Sequence, residues 1–212
     1  MSSSSLHTNP RASLIADASV VISLNATARA AEIIKALPNP FIVTDNACAE
    51  LEAGVGNGHR DHVQLLELIE AGLVRRVSLA AASMSVYESL IDGSTLRTLD
   101  DGEAATIAYA CETTGIALID ERKARTLCAA CFPGLVVAST VELLIHSSIA
   151  AALGEAGQAD ALANALMMAC MRVPPEHLKR VTAIIGVERA ASCASLPKSA
   201  RSNNSLSERV LP

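Results

Sequence analysis

The sequence predicts an α/β fold, and two observations support this fold class. Half of the 212 residues are apolar, which is enough to bury one substantial core. Between residues 13 and 153, short apolar runs alternate with segments of helical periodicity. That alternation is typical of a mostly parallel sheet covered by helices on both faces.

The first three apolar runs are each followed by helical patterns. The runs are SLIAD at 13–17, FIVT at 41–44 and LVRRVSL at 73–79, and short aliphatic runs of this kind favour buried strands. The helices predicted after them cover residues 26–37, then 45–54 and 62–72, then 83–92.

The second half of the alternation has two more apolar runs, IALID at 116–120 and LVVAS at 135–139. Helical patterns precede and follow them at 103–114, 121–131 and 140–153. Two further helices are predicted at 158–171 and 174–185, separated by Val173-Pro174-Pro175, because proline is favoured in the first turn of a helix.

The domain organisation follows from these patterns and from the composition of the two ends. The expected units are an α/β domain over 12–153 and a helical extension over 154–190. Residues 1–11 and 191–212 are rich in Ser, Asn and Pro, which predicts disordered tails.

Composition and charge limit the classes of function. The six cysteines lie mostly in Ala- and Leu-rich patterns, which favours reduced thiols and a cytoplasmic protein. No apolar run reaches the ~20 residues of a membrane span, so no membrane association is expected. Scarce aromatics and a net charge of -5 argue against base stacking and extended nucleic-acid binding. Bound cations could reverse that charge locally.

Two acidic residues directly follow predicted strands. Asp17 comes after the apolar run 14–16, and Asp120 comes after 116–119. Ligands of open parallel sheets bind beyond the carboxyl ends of the strands, so both residues are candidates for a functional site. An Asp at such a position is also a common helix N-cap, and position alone leaves both interpretations open.

Two glutamates are placed by helical periodicity. Glu50 lies on the same helix face as Ala47 and Leu51, which predicts that it points inward. Glu52 is turned about 200° away, so we expect it to be solvated.

Glu103 lies in register with Ile107 and Ala110, on the side of its helix that must face the sheet. An alternative is that Asp100 and Glu103 form a capping box, with Asp100 as the N-cap and Glu103 bonding back to it.

The four acids together predict a metal site more strongly than any one of them. Bringing Asp17, Glu50, Glu103 and Asp120 together is costly unless a cation compensates their charges. All four offer oxygen ligands, which favours Mg²⁺ or Mn²⁺ over Zn²⁺.

Four stretches of the sequence resemble the PIN-domain nucleases, in particular a PIN-like branch from bacteria and archaea. They are LIADASVVISL, IVTDNACAELEAG, LDDGEAATIAYACETTGIALIDERKAR and LVVASTVELL. They span 13 to about 150, and residues 154–186 more faintly resemble the helical tail of that branch. The resemblance implies a three-layer sandwich around a mostly parallel sheet.

The resemblance implies that Asp17, Glu50, Glu103 and Asp120 are the catalytic metal ligands. Ser19 matches a hydroxyl residue often found two positions after the first acid. The chain departs from many members at Arg122, where they carry a further Asp, and Glu121 is the candidate to replace that acid.

The implied activity is metal-dependent hydrolysis of RNA, with the toxin of a toxin–antitoxin pair as one form. That form implies a small antitoxin protein as partner, and a homodimer is a further expectation. Lys123 and Arg125 are candidates to guide the RNA backbone, although a solvated helix face explains them too.

Two other functions stay open. A catalytically silent PIN-like protein that binds RNA or a protein would account for Arg122. A receiver-type phosphoryl-transfer domain would need paired acids after the first strand and a late lysine, and neither is evident in the sequence.

Overall fold

The structure is a computed structural model that describes residues 11–201 except 57, 59 and 93–97. Its described residues form one five-stranded sheet in the order β3-β2-β1-β4-β5, with every pair parallel. This confirms the predicted α/β class. The strands are β1 (Leu14–Ala16), β2 (Phe41–Thr44), β3 (Val74–Val77), β4 (Ile116–Leu118) and β5 (Val136–Ala138).

Helices connect the parallel strands, as a parallel sheet requires. Those within the sheet region are α1 (Ala18–Ala26), α2 (Ala30–Lys35), α3 (Asp45–Val55), α4 (Asp61–Glu70), α5 (Ala81–Ile91), α6 (Asp101–Thr113), α7 (Arg122–Cys131) and α8 (Thr140–Leu144). Those that follow are α9 (Ser147–Met168), a 3-10 turn at Pro175–His177, α10 (Leu178–Ile185), α11 (Val187–Ser192) and α12 (Lys198–Arg201).

Successive side chains of each strand face opposite sides of the sheet, which creates two cores. In β1, Leu14 and Ala16 belong to one core and Ile15 to the other. Helices α1, α8, α9 and α10 contribute to the first core, and α5, α6 and α7 to the second. Leu14 and Ile15 are fully buried, and each such side chain contributes about 1.5–3 kcal/mol.

Helix α1 begins directly after Asp17, whereas the sequence pattern placed the first helix at 26–37. Val20, Val21 and Leu24 are all buried, because α1 packs against helices α3, α4, α8 and α9. A helix covered on several sides has no single apolar stripe, so periodicity does not reveal it.

The C-terminal helices pack onto the sheet domain. Helix α9 contacts α1, α2, α8 and α10, and Gly154 interrupts it with a φ of 71°. The boundary between a sheet domain at 12–153 and an extension at 154–190 stays a prediction. No helix among the described residues is both long and apolar enough to cross a membrane.

Only part of the two predicted disordered tails lies among the described residues. Residues 1–10 and 202–212 lie outside the described residues. Residues 191–201 differ from the predicted disorder, because Cys193 and Leu196 are buried and continue an apolar spacing of three that starts at Ala190. The Ser- and Pro-rich composition concealed that stripe.

Candidate metal centre

An acidic cleft of about 330 Å³ lies beyond the carboxyl ends of β1 and β4. Each of the four predicted acids lines it, and so do both predicted supporting residues. The acidic and hydroxyl side chains in its wall are Asp17, Ser19, Ser23, Glu50, Asp100, Glu103, Asp120 and Glu121.

Three of these acids form a compact group. One carboxylate oxygen from each of Asp17, Glu50 and Asp100 lies within 4.8 Å of the other two. Asp100 is not among the predicted ligands, because the sequence pattern indicates it only as the N-cap of the alternative capping box. The structure shows that cap: Asp100 Oδ1 accepts a hydrogen bond of 2.9 Å from the Glu103 backbone N–H.

The two oxygens of Asp17 have different surroundings. Oδ2 accepts hydrogen bonds from the Ser19 hydroxyl at 2.8 Å and from the Ser19 backbone N–H at 3.3 Å, which caps α1. Oδ1 is buried and has no hydrogen-bond partner among the described residues. A buried carboxylate oxygen without a donor is costly, and a cation would satisfy it.

Helix α3 carries Glu50 to the cleft. Thr44 caps the helix by accepting from the Ala47 N–H at 3.2 Å, and Ala47 and Leu51 are buried. Glu50 is exposed rather than buried, yet its carboxylate belongs to the compact group. Glu52 is exposed as predicted.

Gly102 allows α6 to approach the acids closely. A Cβ atom at this position would lie 2.5 Å from Glu50 Oε2 and 3.1 Å from Asp17 Oδ1. The observed positions of Glu50 and Asp17 therefore depend on residue 102 having no side chain.

Glu103 is 5% exposed and faces the cleft, as its register predicted. The described residues show only half of the alternative capping box, the bond from the Glu103 N–H to Asp100. The Glu103 carboxylate is therefore not used in capping.

Burial and like charge raise the pKa values of the clustered acids. Desolvation of the carboxylate by surrounding protein atoms is the largest cause in each case, even for Glu50, which is exposed as a whole residue. Neighbouring carboxylates are the next cause for Glu50 and Glu103. The pKa of Asp17 rises to about 6, although its hydrogen bonds to Ser19 oppose the change. The pKa of Glu50 rises to about 7 and that of Glu103 to about 8. A divalent cation bound between the carboxylates would offset the repulsion among their negative charges.

Asp120 lies in the cleft wall but outside the compact group. Both of its oxygens are bonded to Thr140, one to the backbone N–H at 2.8 Å and one to the hydroxyl at 2.7 Å. Asp120 therefore fixes the start of α8, and burial raises its pKa. Its role as a metal ligand stays a prediction.

The remaining predicted residues are engaged within the chain. Glu121 forms an ion pair of 2.9 Å with Arg172, from the segment between α9 and α10. Lys123 donates to the Thr98 carbonyl. Arg125 donates to the Ile119 carbonyl at 3.2 Å and lies 3.6 Å from a Glu142 carboxylate oxygen.

Asp101 links three of the helices around the cleft. It accepts a hydrogen bond of 2.9 Å from Asn46 in α3 and another from Tyr87 in α5. No sequence signal distinguished this residue, because its partners lie 55 and 14 positions away along the chain.

The donor chemistry of the compact group fits a hard divalent cation. Asp17, Glu50 and Asp100 offer only oxygens, which Mg²⁺ and Mn²⁺ prefer. The buried Oδ1 of Asp17, which no described residue hydrogen-bonds, supplies an observation independent of the clustering.

The family comparison agrees with this fold and cleft. A family model described as the PIN domain matches residues 13–186. No curated protein and no solved structure matches the chain significantly. The match covers the five strands, the acidic cleft and the first helices after the sheet. The chain therefore belongs to the PIN domain family.

Proposed function

We propose that this protein is a Mg²⁺- or Mn²⁺-dependent endoribonuclease that hydrolyses RNA phosphodiester bonds in the acidic cleft. PIN domains are in general a nuclease family, which supports hydrolysis. The observation that carries the proposal is the buried Oδ1 of Asp17, which has no hydrogen-bond partner among the described residues, in a carboxylate group that lies close to those of Glu50 and Asp100. Such an arrangement is stable only if a cation or protons compensate it.

Each residue of the compact group has a definable task. Asp17 is the central ligand, and Ser19 fixes its carboxylate by bonding to the other oxygen. Glu50 and Asp100 complete the oxygen cluster from α3 and from the start of α6. When bound, the cation supplies water activation and neutralises charge on the leaving oxygen.

Glu103 and Asp120 surround this group without belonging to it. Glu103 is buried, with a pKa near 8, so it can hold a proton at neutral pH and release it when a cation enters. Asp120 is oriented by Thr140 and offers its remaining lone pairs to a water or a second ion.

A catalytically silent PIN-like protein that binds RNA or a protein is the second candidate. It is favoured by Arg122 at the position where many members carry an acid, and by the engagement of both Asp120 oxygens by Thr140. In that case the cleft would bind a cation but would not support turnover.

A narrower form of the nuclease proposal is the toxin of a toxin–antitoxin pair in the cytoplasm. Membership of the PIN domain family supports it. A small antitoxin protein would then be the partner, and a homodimer the assembly. Co-expression with the product of a small adjacent gene, followed by size-exclusion chromatography, tests this form directly.

The central experiment compares labelled RNA incubated with purified protein in Mn²⁺, in Mg²⁺ and in EDTA. We expect cleavage with metal only, and a loss of orders of magnitude in Asp17→Asn and Glu50→Gln. Glu52→Gln is the matched control, because Glu52 is an exposed glutamate on the same helix as Glu50 but faces away from the cleft.

Two results would contradict the proposal. Full activity in Asp17→Asn would mean that another site or a contaminant cuts the RNA. Metal binding without cleavage by the wild-type protein would support the silent alternative.

A further inference from the structure

A second and larger cavity, of about 1030 Å³, lies beside the acidic cleft. Part of its floor is apolar and includes Phe132, Val136 and Val137. Val136 and Val137 belong to β5, an edge strand of the sheet. Asp120 and Arg172 line both cavities, so the second cavity adjoins the acidic cleft.

Three arginines border this second cavity, which we name the arginine groove: Arg122, Arg125 and Arg172. The acids in its wall are Asp120, at the junction with the cleft, and Glu176. In a chain with a net charge of -5, the groove is a local concentration of cations. It suits an anionic ligand.

The three arginines differ in how many N–H groups remain for a ligand. Arg125 is only 24% exposed, donates a hydrogen bond to the Ile119 carbonyl and forms an ion pair with Glu142. Arg172 is 66% exposed, and both of its contacts to Glu121 use the same nitrogen, Nη1. Arg122 is exposed and has no side-chain partner among the described residues. Arg122 and Arg172 therefore keep N–H donors for which the described part of the chain offers no acceptor.

We propose that the arginine groove holds the single-stranded RNA on one side of the scissile phosphate, with Arg172 and Arg122 contacting its phosphates. This inference rests on the proposed nuclease function and names where its substrate binds. Arg172 lines both cavities, so it can contact a phosphate next to the one at the cation. The apolar floor suits the faces of bases and sugars, and the guanidinium groups suit phosphate oxygens.

Direct binding tests this proposal without metal or cleavage. Fluorescence anisotropy with a short labelled single-stranded RNA is measured in EDTA, in an Asp17→Asn background, between about 50 and 200 mM salt. We expect Arg172→Ala and Arg122→Ala each to weaken binding several-fold and to reduce the salt slope by about 0.7. The matched control is Arg75→Ala, on the opposite edge strand β3, because Arg75 is also exposed.

The outcomes separate this inference from the nuclease proposal. Equal affinity and salt slope in the Arg122→Ala/Arg172→Ala double variant and in Arg75→Ala would overturn it, as would absence of RNA binding altogether. After such a result, an acidic peptide would be the next anionic ligand to test in the groove. If the arginine variants lose RNA binding but the wild type never cleaves, the groove assignment stands and the nuclease proposal fails. Arg122→Glu keeps the test informative if Arg172→Ala lowers stability, because it changes only an exposed side chain.

Discussion

Asp17 serves two roles at the start of α1, because a carboxylate has two oxygens. Oδ2 caps the helix by accepting hydrogen bonds from Ser19. Oδ1 is buried at the cleft, has no hydrogen-bond partner among the described residues, and so remains available to a cation. The capping and metal-binding interpretations of Asp17 are therefore compatible. Asp100 repeats the pattern, since it caps α6 and contributes an oxygen to the compact group. A residue explained by capping is thus still a candidate ligand.

Gly102→Ala should weaken metal binding while leaving the fold intact. The new Cβ would lie 2.5 Å from Glu50 Oε2, and the flexible Glu50 side chain must move away from Asp17. We expect Mn²⁺ affinity to fall by about tenfold, a typical effect of disturbing the support of a metal ligand, when measured by isothermal titration calorimetry.

The control for this prediction is Gly134→Ala. A Cβ at Gly134 would meet no atom within 4 Å, so this variant should bind Mn²⁺ as the wild type does. Unchanged affinity in Gly102→Ala would mean that Glu50 does not need its observed position to bind the ion.

At the scale of elements, Asp101 joins the helices that carry the acids. Its bonds to Asn46 and Tyr87 connect the first turn of α6 with α3 and α5. Helix α3 supplies Glu50, and α6 supplies Glu103. The relative position of these acids therefore depends on a link outside the cleft.

Tyr87→Phe and Asp101→Ala should both lower divalent-metal affinity, Tyr87→Phe without any change of charge. Their cost in the free energy of unfolding should stay near 1 kcal/mol or less, because the bonds are exposed. Metal-dependent shifts of the melting temperature measure the first effect, and urea unfolding the second. Glu112→Ala, an exposed acid at the far end of α6, is the control. If only Asp101→Ala has an effect, lost charge rather than the lost link explains it.

The strands and most helices could be predicted because their signals are local. All five runs contain strands. Strands β1, β2 and β4 are buried along their whole length and read as nearly uninterrupted apolar segments, whereas edge strand β3 has the exposed Arg75 and Arg76 between its two valines. Helix α1 could not be found by periodicity, because helices α3, α4, α8 and α9 pack around it and leave it no single polar face.

The acidic cleft could be predicted only where residues occupy strand ends or inward helix faces. Asp17, Glu50 and Glu103 met that condition, and all three line the cleft. Arg172 did not, because it reaches the cleft through the fold of the segment after α9 and its pairing with Glu121. The bonds from Thr140 to Asp120 likewise depend on β4 and β5 being neighbours.

At the scale of the whole molecule, the acids make the stability of the metal-free protein depend on pH. The pKa of Asp17 rises from 3.8 to about 6, and those of Glu50 and Glu103 rise from 4.5 to about 7 and about 8. Each folded-state pKa lies above its unfolded value, so the folded protein binds more protons between these limits. The contribution of these three carboxyl groups to the free energy of unfolding is therefore greatest below about pH 4, and it is lost as the pH rises toward 8. Exposed Asp45, whose pKa is lowered by Ser78 and Arg76, opposes this trend only weakly.

The metal-free protein should accordingly have a higher melting temperature at pH 5 than at pH 8. Mg²⁺ or Mn²⁺ should raise the melting temperature most at pH 8, because the acids are charged there. Asp17 alone should contribute on the order of 1 kcal/mol to this loss, since only about one unit of its pKa shift, from pH 5 to its folded-state pKa of about 6, falls between the two pH values, and one unit corresponds to about 1.4 kcal/mol. Asp17→Asn keeps the helix cap and removes the charge, so its melting temperature should change less between the two pH values and should respond less to metal. Differential scanning calorimetry in EDTA and in millimolar metal measures both effects. A melting temperature that is constant or rises from pH 5 to pH 8 in EDTA would show that burial and crowding do not raise the pKa values of these carboxylates in the folded protein, and the metal centre would lose its physical basis.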